Sequence, residues 1–277
     1  MQIARKIKIT KKRVIITCAV TAAILIFCWF QNNILTVGEY VYSGKKVSPD
    51  LDGFKIVQIS DLHNAVFGRG NRRLIDKIEE QDPDLVVITG DIADSNHTDL
   101  DAAIEFCQKA AELWPCYYVT GNHEKWLSDA EQKKLFDGIT KSGVVWLDNE
   151  EVFSDCGIRL IGLDDNSLAD GTLEKFMAED DQGHLTVVLA HEPQYFEDYC
   201  ACGPDLVLTG HAHGGQVRLP FIGGLVAPDQ GLFPEYTEGQ FSQDGTVMII
   251  SRGLGNSVIP VRLFDLPEIV TVTLRSP

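Results

Sequence analysis

The sequence predicts an α/β fold carried behind an apolar N-terminal helix. Three observations support this. From residue 55 onward, short apolar runs alternate with segments of helical periodicity, the pattern of strands and helices packed in layers. The run VIITCAVTAAILIFCWF, residues 14–30, contains no charged residue. Five of the apolar runs farther along end in Asp, Asn or His.

The N-terminal run is the first element. Its 17 residues would reach about 25 Å as a helix, the short end of what crosses a bilayer. Arg5, Lys6, Lys8, Lys11, Lys12 and Arg13 precede or abut it, and no acidic residue occurs before residue 31. Trp29 and Phe30 stand where interfacial aromatic side chains anchor a span. A cleavable secretory signal shares the basic start, but this run is longer than a usual signal core and no Ala-x-Ala site follows closely. The chain is therefore divided into a basic cytoplasmic segment 1–13, a transmembrane anchor 14–30, a linker and entry segment 31–53, and one domain 54–277. The positive-inside rule places that domain on the extracytoplasmic side of the cell membrane.

The whole chain holds 24 basic and 40 acidic residues, for a formal charge of −16. Six of the basic ones lie in the N-terminal segment, so the domain is more acidic still. Such a surface repels a nucleic-acid backbone, and general nucleic-acid binding is not expected. Of seven cysteines, Cys18 and Cys28 lie in the apolar run. Cys107, Cys116, Cys156, Cys200 and Cys202 show no zinc-type pairing, and their odd number leaves at least one outside any intramolecular disulfide.

Along the domain, KIVQIS is a strand candidate and Asn71 a candidate cap for a helix bearing Leu74, Ile75 and Ile78. LVVIT, residues 85–89, is continuously apolar, as in a strand buried on both faces. A helix with Leu100, Ala103, Ile104 and Cys107 follows, then the strand CYYVT. Ser128 and Glu131 form a capping box for a helix using Leu135, Phe136 and Ile139. Further strands are expected at 144–147, 159–163, 185–190, 206–209, 246–251 and 270–274, with a C-terminal half poorer in helix.

The chemistry lies at the strand ends. KIVQIS is followed by Asp61-Leu62-His63, LVVIT by Gly90-Asp91, and CYYVT by Gly121-Asn122-His123-Glu124. TVVLA is followed by His191, and DLVLT by Gly210-His211-Ala212-His213. Ligands gather at the carboxyl ends of strands in α/β sheets, and glycine there allows a sharp turn. Oxygen donors mixed with imidazoles and no thiolate suit Mn²⁺, Fe or Zn²⁺. Seven such donors exceed what one tetrahedral ion needs and fit two ions that share a carboxylate.

These five blocks, in this order, resemble those of the calcineurin-like metallophosphoesterases over roughly residues 53–277. GHAHGGQVRLP, GLFPEYTEG and SRGLGNSVIPVR are similar to a membrane-anchored bacterial branch of that superfamily. That branch includes cell-surface phosphodiesterases and is similar to enzymes that cut the pyrophosphate of UDP-2,3-diacylglucosamine. The resemblance implies a four-layer αββα sandwich and a site for two divalent metal ions (Mn²⁺, Zn²⁺ or Fe²⁺/Fe³⁺). It implies that Asp61, His63 and His213 bind one ion, Asn122, His191 and His211 the other, and that Asp91 bridges them. His123 becomes the general acid, and Asp94 is similar to the carboxylate that orients it. After Asp91 and Ile92 the chain reads ADSN, without the Arg of the protein-phosphatase branch, which argues against a phosphoprotein substrate.

Arg69 and Arg218 lie near the site blocks in sequence and are candidates for holding a phosphate or second anionic group. Gly68, Gly70, Phe221 and the GGLVAP loop are read as shaping a cleft that faces the membrane. His97, His184, Asp164 and Asp165 are read as lying outside the ligand set. The expected activity is hydrolysis of a phosphodiester or pyrophosphate, with a lipid-linked or cell-envelope substrate in view. The alternatives are a nucleotide phosphodiesterase facing the cytosol and a non-catalytic metal-binding module of the same fold.

Overall fold

The computed structural model describes residues 10–165, 167–179, 183–257 and 261–277; Arg5, Lys6 and Lys8 of the basic segment lie outside the described residues. The apolar run lies within a helix, Lys11–Asn33, capped by the Thr10 hydroxyl, which accepts the Arg13 N–H. Its 23 residues extend about 34 Å, long and apolar enough to cross a membrane. Val14, Ile15, Ile24, Leu25 and Trp29 are exposed, and Gln31 is its one buried residue among those described.

Among the described residues, sixteen strands follow in chain order. The first nine are Thr36–Ser43 (β1), Lys55–Ile59 (β2), Leu85–Thr89 (β3), Cys116–Val119 (β4), Val145–Trp146 (β5), Glu150–Phe153 (β6), Arg159–Gly162 (β7), Thr186–Leu189 (β8) and Leu206–Thr209 (β9). Then come the short Arg218–Leu219 (β10), Gly223–Gly224 (β11), Val226–Ala227 (β12) and Gly231–Leu232 (β13). Gly239–Gln243 (β14), Thr246–Ile250 (β15) and Glu268–Arg275 (β16) complete the set. One six-stranded sheet has the order β1-β16-β2-β3-β4-β5 and the other β14-β15-β9-β8-β7-β6. In the first, β2, β3, β4 and β5 run parallel; in the second, β7, β8, β9 and β15 do.

The two sheets face each other across Ile56, Val87, Val119, Leu160, Val187, Leu189, Leu208 and Val272, all fully buried. Helices Arg72–Glu79, Leu100–Ala111 and Asp129–Lys141 cover the outer face of the first sheet through Leu74, Ile78, Phe106, Leu135 and Ile139. Thr172–Met177 and Phe196–Cys202 cover the second through Leu173, Phe196 and Tyr199. The result is the expected four-layer αββα sandwich. Both faces of the central strands are buried, which is why those strands read as unbroken apolar runs.

Ser128 and Glu131 form the expected capping box. Asn71 instead adopts a left-handed conformation, and its side-chain oxygen accepts the Phe67 N–H rather than an N–H of its own helix. The stretch 31–53 holds more structure than a linker. Its residues 36–43 form β1, paired in parallel along its whole length with β16. This strand lies at a sheet edge with a mostly half-exposed burial pattern, and its partner lies more than 200 residues away, so no local signal marks it.

A buried Gln58 ties the sheets together near their carboxyl ends, its amide donating to Thr89 Oγ1 at 2.9 Å and to Thr209 O at 2.8 Å. The two sets of strand ends therefore open at one edge of the sandwich.

Candidate metal centre

The chain turns abruptly where β2, β3 and β9 stop. Asp61, His63, Asp91, His211 and His213 all have positive φ, between 45° and 65°. Left-handed backbone is costly for a non-glycine residue and persists where the surroundings over-determine it. Glycine makes the approach possible. A Cβ on Gly210 would lie 1.9 Å from Ser60 Oγ and 2.4 Å from Asp61 Oδ2. One on Gly90, with φ +85°, would meet His191 Nδ1 at 2.6 Å.

The side chains converge in two groups. Asp61, His63, Asp91 and His213 place one donor atom each within 4.8 Å of one another, as do Asp91, His191 and His211. Asp91 belongs to both groups: its Oδ2 is 3.5 Å from His63 Nε2 and 3.3 Å from His191 Nε2. Its Oδ1 accepts the His123 N–H at 2.8 Å. His63 Nε2 and His213 Nε2 face each other at 3.1 Å, and His213 Nε2 is 3.4 Å from Asp61 Oδ1. Both oxygens of Asp61 accept the His211 N–H, at 3.1 Å each.

The orphaned atoms fit a cation. Asn122 Oδ1 and His191 Nε2 are buried without a hydrogen-bond partner, a state that costs free energy unless something else satisfies them. His191 Nδ1 lies 2.8 Å from Thr89 O, so it carries the proton and leaves the Nε2 lone pair free. His211 Nε2 lies 3.0 Å from Asp229 Oδ2, which leaves Nδ1 as its free donor atom. A second hydrogen bond of this kind sets the tautomer of metal-binding histidines.

Charge is distributed accordingly. Burial, with the neighbouring charge of Asp91, pushes the Asp61 carboxyl up to about 6. Burial pushes His63 and His211 down to about 4, and His213 well below the usual imidazole range. These three rings are therefore neutral at pH 7, as ligation requires. Burial opposes charge on both Asp91 and His191, but their mutual attraction outweighs it, lowering the acid and raising the imidazole. Without a cation His191 Nε2 holds a proton towards Asp91 Oδ2, 3.3 Å away, and a cation bound there would replace it.

His123 stands beside both groups. Its Nδ1 accepts the Ser95 N–H at 3.2 Å and lies 3.3 Å from Asp94 Oδ1. Its Nε2 is 3.1 Å from Ser257 Oγ. Asp94 Oδ1 also accepts the Asn96 N–H at 2.8 Å. His63, Asp94 and His123 form a third group of convergent donors. Glu124, fully buried, accepts N–H groups from Asp91, Ala93 and Gly121 at 2.8–3.0 Å. It pins the loops after β3 and β4 together, and burial followed by the charge of Asp91 pushes its carboxyl up to about 8.

These residues open onto a cavity of about 610 Å³. Asp91, Asn122, His123, His211 and His213 line its floor; Trp126, Asp165, Glu192, Tyr195, Asp229 and Ser257 line its walls. Asp165 was expected outside the ligand set and contributes to the wall. Trp126, Glu192 and Tyr195 carry no motif of their own and stand close to a site block in sequence, Ser257 lies within SRGLGNSVIPVR, and Asp229 follows the GGLVAP loop. Neither Arg69 nor Arg218 lines this cavity. Arg69 borders a separate depression with Arg72, Lys109 and Leu113. Arg218 donates to Gly214 O and pairs with Glu238. His97 is exposed with its Nδ1 3.7 Å from Asp94 Oδ2, His184 Nδ1 bonds Gly157 O at 2.7 Å, and neither belongs to the convergent groups.

Comparison with known proteins identifies the family of the chain. The calcineurin-like phosphoesterase family model matches residues 54–215, more than half of the chain. YkuE of Bacillus subtilis, described as an uncharacterized metallophosphoesterase, is 30% identical over 90% of this chain and 88% of its own length. YpbG of the same organism, described as uncharacterized, is 30% identical over 98% of both chains. A zebrafish (Danio rerio) transmembrane protein with a metallophosphoesterase domain is 28% identical over 83% of this chain and 55% of its own length. The chain belongs to the calcineurin-like phosphoesterase family.

Proposed function

We propose that the protein is a membrane-anchored phosphodiesterase that works with two divalent metal ions. The observation that carries this reading is the placement of Asp91 Oδ2 between His63 and His191. Asp61, His63 and His213 would hold one ion, Asn122, His191 and His211 the other, with Asp91 shared. Bound there, two divalent ions supply a hydroxide nucleophile at neutral pH and a clamp on the phosphoryl oxygens. His123 faces the same cavity and delivers a proton from Nε2 to the departing alkoxide. At its other nitrogen the Ser95 N–H bonds the neutral ring, and Asp94 Oδ1, 3.3 Å away, would take the Nδ1 proton of the charged one.

Among the described residues lining the cavity, none is Lys or Arg, whereas Asp165, Glu192 and Asp229 are acidic. This wall favours a substrate of low negative charge, and so a phosphodiester ahead of a pyrophosphate. The helix Lys11–Asn33 is taken as a single-pass anchor, with the basic flank inside the cell. The test is hydrolysis of bis-p-nitrophenyl phosphate by the purified chain. Activity should appear with Mn²⁺, vanish with a chelator and return on adding metal. Two bound ions without turnover would favour a metal-binding module over an enzyme.

A further inference from the structure

Several apolar side chains outside the site point into solvent. Phe221 is fully exposed, Leu232, Phe233 and Ile222 are 76%, 67% and 59% exposed, and Phe264 is 56% exposed. Phe221, Phe233 and Phe264 also have positive φ, between 55° and 69°. Bulky residues rarely adopt that backbone, and here it brings no packing within the domain. No charged residue occurs from Leu219 to Pro228.

These residues belong to one connected surface. Arg218 N donates to Leu263 O, Leu225 N to Val217 O, and Phe233 N to Leu225 O. The hairpins β10–β11 and β12–β13 are thus laced to each other and to the segment that carries Phe264. The Phe264 ring in turn packs on Phe27 of the apolar helix, centroids 5.7 Å apart. Phe27 precedes the point where the helix meets the domain, where Asn256 and Arg262 bond Asn32 at 2.7 and 3.3 Å. A bilayer that covers the helix as far as Trp29 and Phe30 therefore reaches the depth of Phe264.

We propose that Phe221, Ile222, Leu232, Phe233 and Phe264 form a second membrane contact, inserted in the leaflet around the C-terminal end of the helix. The occupant of this surface is lipid. The contact fixes how the cavity faces the membrane, because Pro228 and Asp229, in the turn of the β12–β13 hairpin, line it. Asn256 bonds the helix, and the next residue, Ser257, meets His123. The cavity then opens beside the headgroup layer.

This contact rests on the anchor reading and not on catalysis, so the experiment separates the two. The full chain is placed in vesicles of phosphatidylethanolamine and phosphatidylglycerol with a benzophenone amino acid at position 221, 233 or 264. Position 153 is the control: Phe153 is exposed and pairs with Arg159 at the far end of β7 from the site. Photolysis should label lipid at least 10-fold more from 221, 233 and 264 than from 153. Labelling from 221 and 233 no greater than from 153 in chain that resists carbonate extraction overturns the contact and leaves the anchor standing. Cross-linking of 221 or 233 to a second copy of the chain in place of lipid also overturns it. Release of the chain by carbonate overturns the anchor and the contact together.

Discussion

Asp229 holds His211: its Oδ2 lies 3.0 Å from His211 Nε2, although the carboxylate sits on an exposed loop. Removing it frees the ring to turn and to exchange tautomers. Asp229→Ala should weaken the second ion of the pair by about 10–100-fold, the usual effect of losing such a partner. Elemental analysis after dialysis against limiting Mn²⁺ should then fall from two ions per chain towards one. Unchanged stoichiometry and affinity would remove Asp229 from the site.

His123→Ala should keep both metals and lose about 10²–10⁴ in turnover on an alkyl phosphodiester. A p-nitrophenyl ester should suffer less, because its leaving group needs less protonation. Equal losses on the two substrates would exclude the acid role. Ser257→Ala removes the group 3.1 Å from His123 Nε2, and should alter the alkyl substrate's rate more than the aryl one's.

The raised carboxyl of Asp61 makes the metal-free protein sensitive to pH. Its folded value, about 6 against an ordinary 3.8, means that the folded state holds this proton more tightly than the unfolded chain. The cost of ionising Asp61 is absent below about 3.8 and complete above about 6, so its contribution to stability falls as pH rises through that window. A cation beside Asp61 removes the cost. The gain in Tm on adding Mn²⁺ should therefore be larger at pH 7 than at pH 5, by several degrees. Asp61→Asn should lack this difference, and an equal gain at both pH values in the parent chain would contradict the assignment.

Gly210→Ala places a methyl group against Ser60 Oγ and Asp61 Oδ2, within 1.9 and 2.4 Å. The strand end must move, at a cost of about 1–3 kcal/mol, and Asp61 moves with it. Lower Tm and weakened metal binding should appear together; a fold-neutral, metal-competent variant would show that the close approach is not required.

The acidic domain should lie outside the cell. Protease added to intact cells should remove it, and digestion only after lysis would reverse the topology.

The apolar helix, most of the strands and the Asp and His residues of the two convergent groups could be read from the chain because each has a local signature. An unbroken apolar run marks β3 or β9, and Gly-Asp or Gly-His marks the turn that follows. The sandwich itself, with two sheets opening at one edge, came from resemblance and not from periodicity. The rest needed distant partners. β1 exists because β16 pairs with it, and Asn71 serves Phe67 because its left-handed backbone turns the side chain away from its helix. Asp229 reaches His211, Ser257 reaches His123, and Arg69 and Arg218 fall outside the cavity, all through the path of loops that sequence leaves open. Short-range sterics and burial write the strands and their ends into the sequence. Which loop meets which side chain depends on packing the whole chain, and only the tertiary structure decides it.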